Sequence, residues 1–238
     1  MLIEKKIAVI TGAGKGIGLA ISNGLANLGY QTVLISRNAN DLQNASNEII
    51  GAGGLAPQTF QLDITDTQKL TVIVNEIALK YGRIDLLVNN AGIYLDGTLE
   101  LTESELKSMI DTNLVAQFNL TKQVVPVMEK QGSGYIFNIV SRSGKVGFAG
   151  SGGYSASKFG MLGLNETLYH ELVPKGIRVT ALCPGWVNTR MAFDAGTPLK
   201  EMDMIQPEDL FETVKWLLSL SAGACVKEVV LEAPFSIS

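Results

Sequence analysis

The chain has 238 residues, 46% hydrophobic and 18% charged, with 25 glycines, enough apolar material for one unit with a large core. One histidine, His170, and two cysteines, Cys183 and Cys225, are too few for a His/Cys zinc cage. With no G-x-S-x-G elbow a serine-hydrolase relay is disfavoured, and no metal site is expected. A net charge of −4 with scattered Lys and Arg lacks the clustered positive field that nucleic acid requires, and no apolar run approaches the ~18 residues of a membrane span, so neither a nucleic-acid nor a membrane partner is expected.

Met1 to Ile10 carries charge at Glu4, Lys5 and Lys6 and runs straight into a strand, without the apolar region of a secretory signal. With two widely separated cysteines, the expected compartment is a reducing cytoplasm. Short apolar runs then alternate with amphipathic stretches, the pattern of βαβ units and of a parallel sheet covered on both faces. The first run, Ile7 to Thr11, leads into a helix in which Ile17, Ile21, Leu25 and Leu28 fall three or four apart and which ends at Gly29, a glycine C-cap. Strands follow at Thr32 to Ser36 and Thr59 to Asp63. Thr65 and Gln68 have capping-box spacing and open a helix striped by Leu70, Ile73, Val74 and Ile77. After the strand Ile84 to Asn89, Thr102 and Glu105 open a second such helix, Glu103 to Lys130, striped by Leu106, Ile110, Leu120 and Val124. The strand Tyr135 to Ser141 precedes a helix from Tyr154 to Pro174 with Met161, Leu164, Leu168 and Leu172 inward. Strands Ile177 to Leu182 and Glu228 to Glu232 complete a set of seven. No repeat or linker divides the chain, so the expected architecture is a doubly wound α/β fold of Rossmann type: one domain over residues 1–238, a seven-stranded parallel sheet with helices on both faces.

The turn from the first strand to the first helix reads Thr11-Gly12-Ala13-Gly14-Lys15-Gly16-Ile17-Gly18. Such a glycine turn lets the backbone approach a pyrophosphate, and the helix N-terminus offers unpaired N–H groups. The alternative is a glycine turn that only packs helix on strand. About 20 positions on, where folds that prefer NAD place an acid for the ribose 2′-OH, stand Ser36, Arg37 and Asn38. Arg37 and Lys15 together suit a 2′-phosphate and point to NADP(H) over NAD(H), unless both are ordinary solvated charges. Tyr154 and Lys158, four apart, share one helical face. An ammonium beside a phenol lowers its pKa from about 10, making the pair a candidate general acid/base. Ser141 lies at the carboxyl edge of its strand, where a hydroxyl can donate to a substrate carbonyl, and Asn89-Asn90-Ala91-Gly92 ends the fourth strand at the same edge. Asn113 falls on the stripe of Leu106, Ile110 and Leu120, either as a functional amide or as a core amide bonded to nearby backbone.

With T-G-x-x-x-G-I-G at Thr11 to Gly18, N-N-A-G at Asn89 to Gly92, Asn113, Ser141, Y-x-x-x-K at Tyr154 and Lys158, and Pro184-Gly185 in this order, the chain resembles the short-chain dehydrogenase/reductase family in its compact one-domain form, over nearly its whole length. The resemblance implies that Tyr154 is the proton donor, that Lys158 lowers its pKa and holds the nicotinamide ribose, and that Ser141 polarises the carbonyl. It implies a water relay to Lys158 supported by Asn113. On the cofactor side it implies Asp63 and Ile64 at the adenine, Asn90, Ala91 and Gly92 along the trough, and Val187 and Thr189 at the nicotinamide carboxamide, beside Pro184 and Gly185.

The implied activity is NADP(H)-dependent interconversion of a carbonyl and a secondary alcohol, with a 3-oxoacyl thioester on acyl carrier protein as leading substrate. A 3-hydroxy acid, sugar or xenobiotic carbonyl enzyme, an epimerase or dehydratase, and a non-catalytic NADP-binding regulator are the alternatives. Substrate choice is expected from Ile93 to Gly97, Arg142 to Gly150 and the segment after Gly185, where Tyr94, Phe148, Trp186, Met191 and Phe193 are apolar. Met191 to Ile205 is short for a lid. Many relatives finish with Asp-Gly-Gly, whereas here Glu228 to Glu232 leads to Ala233-Pro234-Phe235-Ser236-Ile237-Ser238. By resemblance, a homodimer or homotetramer through the two long helices is expected.

Overall fold

In the computed structural model, which describes residues 5–236, the seven apolar runs form β1 (Ile7–Thr11), β2 (Gln31–Ser36), β3 (Gln58–Gln61), β4 (Leu86–Asn89), β5 (Gly134–Ile139), β6 (Ile177–Pro184) and β7 (Glu228–Leu231). Residues 1–4 and 237–238, parts of the expected N-terminal strand entry and of the segment after the last strand, lie outside the described residues. All pairings are parallel, in the order β3-β2-β1-β4-β5-β6-β7.

The central strands β1, β4, β5 and β6 are buried on both faces because they are apolar at most positions rather than only at alternate ones, whereas the edge strands β3 and β7 stay partly exposed. Along β1, Ala8 and Ile10 enter the core shared with α1 (Gly16–Asn27), α2 (Ala39–Gly51) and α8 (Pro207–Ser219). Ile7 and Val9 enter the core shared with α3 (Thr67–Tyr81), α5 (Ala116–Gln131) and α6 (Gly152–Leu172). Side chains of successive strand residues point to opposite faces, so one apolar run serves two helical layers. α4 (Glu103–Ile110) and the short α7 (Arg190–Asp194) complete the helices. Among the described residues, no helix is long and apolar enough to cross a membrane.

Several local expectations change. α2 has no counterpart in the expected elements, although its buried Leu42, Ala45 and Ile49 have helical spacing. α3 is capped by Asp66, whose carboxylate accepts from Lys69 N–H at 3.1 Å. Thr65 turns back instead, its N–H and hydroxyl donating to Asp63 at 3.0 and 2.7 Å. The capping box of Thr102 and Glu105 forms as expected. Leu106 is 41% exposed and Met109 is buried in its stead. A π-turn over Asp111–Val115 separates α4 from α5 and adds a residue to the winding, so positions before and after it do not share one stripe. Leu28 is 47% exposed, and Gly29 after it takes the left-handed conformation of a helix end. A relay of buried amides crosses the sheet: Asn89 donates to Thr121 and Asn138, Asn138 to Asn165, and Asn165 to the carbonyl of Lys227. It ties the carboxyl ends of β4 and β5 to α6.

Candidate active site

The winding of the chain reverses between β1 and β4, and the crevice at their carboxyl ends is where an open sheet admits a ligand. Thr11 and Asn90 stitch these ends together. Thr11 Oγ1 accepts from the N–H groups of Asn90 and Ala91, both at 3.0 Å, and Asn90 Nδ2 donates to the carbonyls of Thr11 and Gly12 at 2.9 and 3.2 Å. Gly12 sits at φ +62°, a left-handed conformation that L side chains rarely adopt. At Gly18 there is no room for a side chain: a Cβ would stand 2.3 Å from the Gly12 carbonyl oxygen and 2.6 Å from Asn90 Nδ2. Gly18→Ala is therefore expected to cost about 2 kcal/mol through overpacking, seen as a fall of roughly 4–8 °C in the thermal midpoint. An unchanged midpoint by calorimetry would show that the helix start can shift away.

Beyond β5, Ser141 has extended backbone and opens a 3-10 turn, Arg142–Gly144, its hydroxyl accepting from Ser143 N–H at 3.0 Å. α6 brings Tyr154 and Lys158, one turn apart, to the same wall. Lys158 is only 5% exposed and donates to the Ile139 carbonyl at 3.0 Å, with its ammonium 5.6 Å from the centre of the Tyr154 ring. Tyr94 meets Tyr154 edge-on, 5.3 Å between ring centres at 71°, and its hydroxyl donates to Asp96 at 2.9 Å. This wall and the glycine turn face one cavity of about 890 Å³.

Burial pushes the Tyr154 phenol up to about 12; a hydrogen bond from Ser141 opposes this and neighbouring Tyr94 adds to it. The ring stays partly exposed because it opens on the cavity, so protein packed against its flanks, not full enclosure, is responsible. Burial pushes Lys158 down to about 8. The net direction for the phenol is therefore upward, set by burial and Tyr94 against the Ser141 hydrogen bond. The Lys158 ammonium is itself desolvated and turned to the Ile139 carbonyl. At the far end, Arg37 stands 3.9 Å from Asp63, both exposed. Partial burial acts to raise the Asp63 pKa, but hydrogen bonds from Thr65 and the Arg37 charge outweigh it and hold it below the usual carboxylate range.

The cavity collects most of the expected residues. Gly12, Lys15, Gly16 and Ile17 line it from the glycine turn, Ser36, Arg37, Asp63 and Ile64 from the ends of β2 and β3, and Asn90, Ala91 and Gly92 from the end of β4. Ser141, Tyr154 and Lys158 form the far wall, with Pro184, Gly185, Val187 and Thr189 after β6. Three residues do not line it. Gly14 packs on Asp41 at the start of α2, where a Cβ would meet Asp41 Cβ at 2.7 Å, and Gly18 lies inside the strand–helix contact. Asn113 is buried, accepting from Ile93 N–H at 2.8 Å and donating to the Ile93 carbonyl and to Ser157 at 2.9 and 3.0 Å. Of the apolar loop residues, Tyr94, Phe148, Trp186 and Met191 line the cavity and Phe193 does not. Sequence reasoning missed Ser157, which links Asn113 to the Tyr154 carbonyl. It also missed Ala20 and Asn23 on the cavity side of α1; the successive three-residue spacing of Ile17, Ala20 and Asn23 was the available signal.

A dinucleotide-sized crevice at a topological switch point, ending at a hydroxyl, a phenol and a buried ammonium, defines an oxidoreductase of carbonyl and alcohol groups. The short chain dehydrogenase family model matches residues 6–199, and the chain belongs to that family. It is 33% identical to the 3-oxoacyl-(acyl-carrier-protein) reductase of Thermotoga maritima over 239 residues, covering 97% of each protein. The crystal structure of a β-ketoacyl-ACP reductase from Bacteroides thetaiotaomicron superposes with a TM-score of 0.88 at 44% identity, covering 98% of this chain and 99% of that one. An actinorhodin polyketide ketoreductase solved with NADPH superposes with a TM-score of 0.87 at 32% identity, covering 96% of this chain and 95% of that one.

Proposed function

We propose that the chain is an NADP(H)-dependent reductase of 3-oxoacyl thioesters such as those on acyl carrier protein, with residues 1–238 forming one catalytic unit. The observation that carries this reading is the continuity of one cavity from the glycine turn to Ser141, Tyr154 and Lys158. The names of the two reductases above and the NADPH in the third protein support the choice of substrate and cofactor.

The residues present fit such a cofactor. The turn at Gly12 and Gly16 leaves backbone bare for a pyrophosphate, and the cations Lys15 and Arg37 line the end where a 2′-phosphate would lie. When bound, the cofactor supplies hydride to the carbonyl carbon. Ser141 donates to the carbonyl oxygen and stabilises the developing negative charge. Tyr154, held protonated by its surroundings, passes the phenol proton to the same oxygen. Lys158 supplies positive charge behind the phenol and would hold the cofactor's ribose. Asn113 acts as a positioning residue, fixing the Ile93 backbone and, through Ser157, the first turn of α6. Tyr94, Phe148, Trp186 and Met191 give the substrate end an apolar lining suited to an acyl chain.

The test is NADPH oxidation, followed by absorbance, with acetoacetyl thioester against sugars, simple ketones and 3-oxo acids. The thioester is expected to have the highest kcat/KM, and preference for a sugar would overturn the reading. In the same assay Arg37→Ala is expected to reduce the preference for NADPH over NADH by about tenfold, the worth of one charge-assisted phosphate contact. A wild-type preference for NADH would overturn the cofactor assignment. A cytoplasmic homo-oligomer belongs to the same reading; Val115 and Phe118 at the α5 end and Phe159 on α6 are 41%, 44% and 46% exposed, an apolar face of the kind that a second copy covers.

A further inference from the structure

We propose that Glu232 determines substrate specificity: by pairing with Arg142 it neutralises the guanidinium next to Ser141 and restricts the pocket to carbonyl compounds that carry no free carboxylate near the reacting carbon. The inference rests on the oxidoreductase reading of this cavity, but not on the substrate being a thioester.

Arg142 directly follows Ser141 and lines the cavity together with Phe148. Its guanidinium carbon lies 4.6 Å from the centre of the Phe148 ring, and Nη1 donates to Glu232 Oε2 at 3.0 Å and to the Ser236 carbonyl at 3.4 Å. The two side chains are 21% and 26% exposed, so water screens their attraction only in part. Glu232 is seated from the other side as well, because a Cβ on Gly185 would stand 2.7 Å from its Oε2. The carboxylate rests against the bare backbone of Gly185, which lines the cavity. The segment after β7, where the sequence departs from an Asp-Gly-Gly ending, thereby reaches the substrate loop.

A free arginine in this place would recognise the carboxylate of a 3-oxo acid, one carbon from the carbonyl that Ser141 faces, by a bidentate pair. With Glu232 bound, an incoming carboxylate must displace it or stand beside it, and like charges brought together in a partly desolvated site repel strongly. Asp96, held by the Tyr94 hydroxyl, adds a second carboxylate to the cavity lining. A neutral ester, thioester or ketone meets none of these costs and can still accept a hydrogen bond from the paired guanidinium.

The experiment compares acetoacetate with its ethyl ester, and with acetoacetyl-N-acetylcysteamine as a neutral thioester, at saturating NADPH. Wild type is expected to favour the ester over the acid in kcat/KM by at least about tenfold. Glu232→Gln is expected to raise the acid-to-ester ratio about tenfold, through the KM of the acid. Arg142→Gln, which leaves the carboxylate unopposed, should lower the ratio, and the double variant should lose the gain seen with Glu232→Gln. Saturation-transfer NMR on the NADPH complexes reads the same ratio as binding, without turnover. A ratio unchanged within about twofold in both single variants, or a wild type that prefers the acid, would overturn the proposal. Reduction of the ester without reduction of the thioester would remove the thioester reading while leaving this test intact. If Glu232→Gln does not fold, the opposite shift expected for Arg142→Gln still decides.

Discussion

Tyr154→Phe is expected to slow NADPH-dependent carbonyl reduction by about 10³-fold, the loss of a positioned general acid, while the dissociation constant for NADPH stays within about twofold of wild type. The substitution removes one oxygen and keeps the ring, so the edge-on contact with Tyr94 at 5.3 Å survives and the wall keeps its shape. On the proposed reading, what is lost is the phenol proton: with the phenol pushed up to about 12 by burial, Tyr154 stays protonated near neutrality, the form that a general acid needs. Stopped-flow kinetics give the rate and fluorescence titration the affinity. A variant that retains a tenth of the wild-type rate would mean that another group delivers the proton.

Lys158→Met is expected to abolish most turnover and yet to make the protein more stable at pH 7, by about 2 kcal/mol. Burial lowers Lys158 from 10.5 to about 8, so below pH 8 the native state carries an ammonium at a cost of about 3 kcal/mol relative to the unfolded chain. Losing the hydrogen bond to the Ile139 carbonyl takes back about 1 kcal/mol of the gain. The sign with pH follows from proton binding. Between pH 8 and 10.5 the unfolded chain holds a proton on this lysine that the native state lacks, so wild-type stability rises with pH across that window. The advantage of Lys158→Met should therefore be full below pH 8 and shrink above it, measured as urea midpoints of the two proteins. A variant less stable than wild type at pH 7 would show that the ammonium is better solvated than its surroundings indicate. In kinetics, kcat/KM for reduction should fall above pH 8 in wild type, as the positive charge behind the phenol is lost, and the variant should lack that break.

Both expectations turn on residues that were legible in the sequence, but their electrostatics were not. Tyr154 and Lys158 stand out because a four-residue spacing puts them on one helical face, and Gly12 to Gly18 because strand, glycines and helix follow without interruption. Ser141 is legible through its place past an apolar run. Asn113 was legible as a residue but not as a role, since only the fold shows both of its amide groups spent on Ile93 and Ser157. The shared stripe expected of Leu106 and Leu120 failed at the π-turn, which shifts the helical phase without any mark in the hydrophobic pattern. α2 escaped because its mostly polar surface dilutes the period of Leu42, Ala45 and Ile49.

By itself, the sequence determined the alternation of seven strands with helices, the glycine turn and the chemical types at the candidate catalytic wall. These are set by periodicity and by spacings of a few residues, which the chain carries locally. Only the tertiary structure decided that Tyr154 is held up and Lys158 down, that the Asn113 amide is spent on Ile93 and Ser157, and that Glu232 closes on Arg142, ninety residues away in the chain. Desolvation and long-range pairing depend on what packs around a group in space, and sequence neighbours do not specify it.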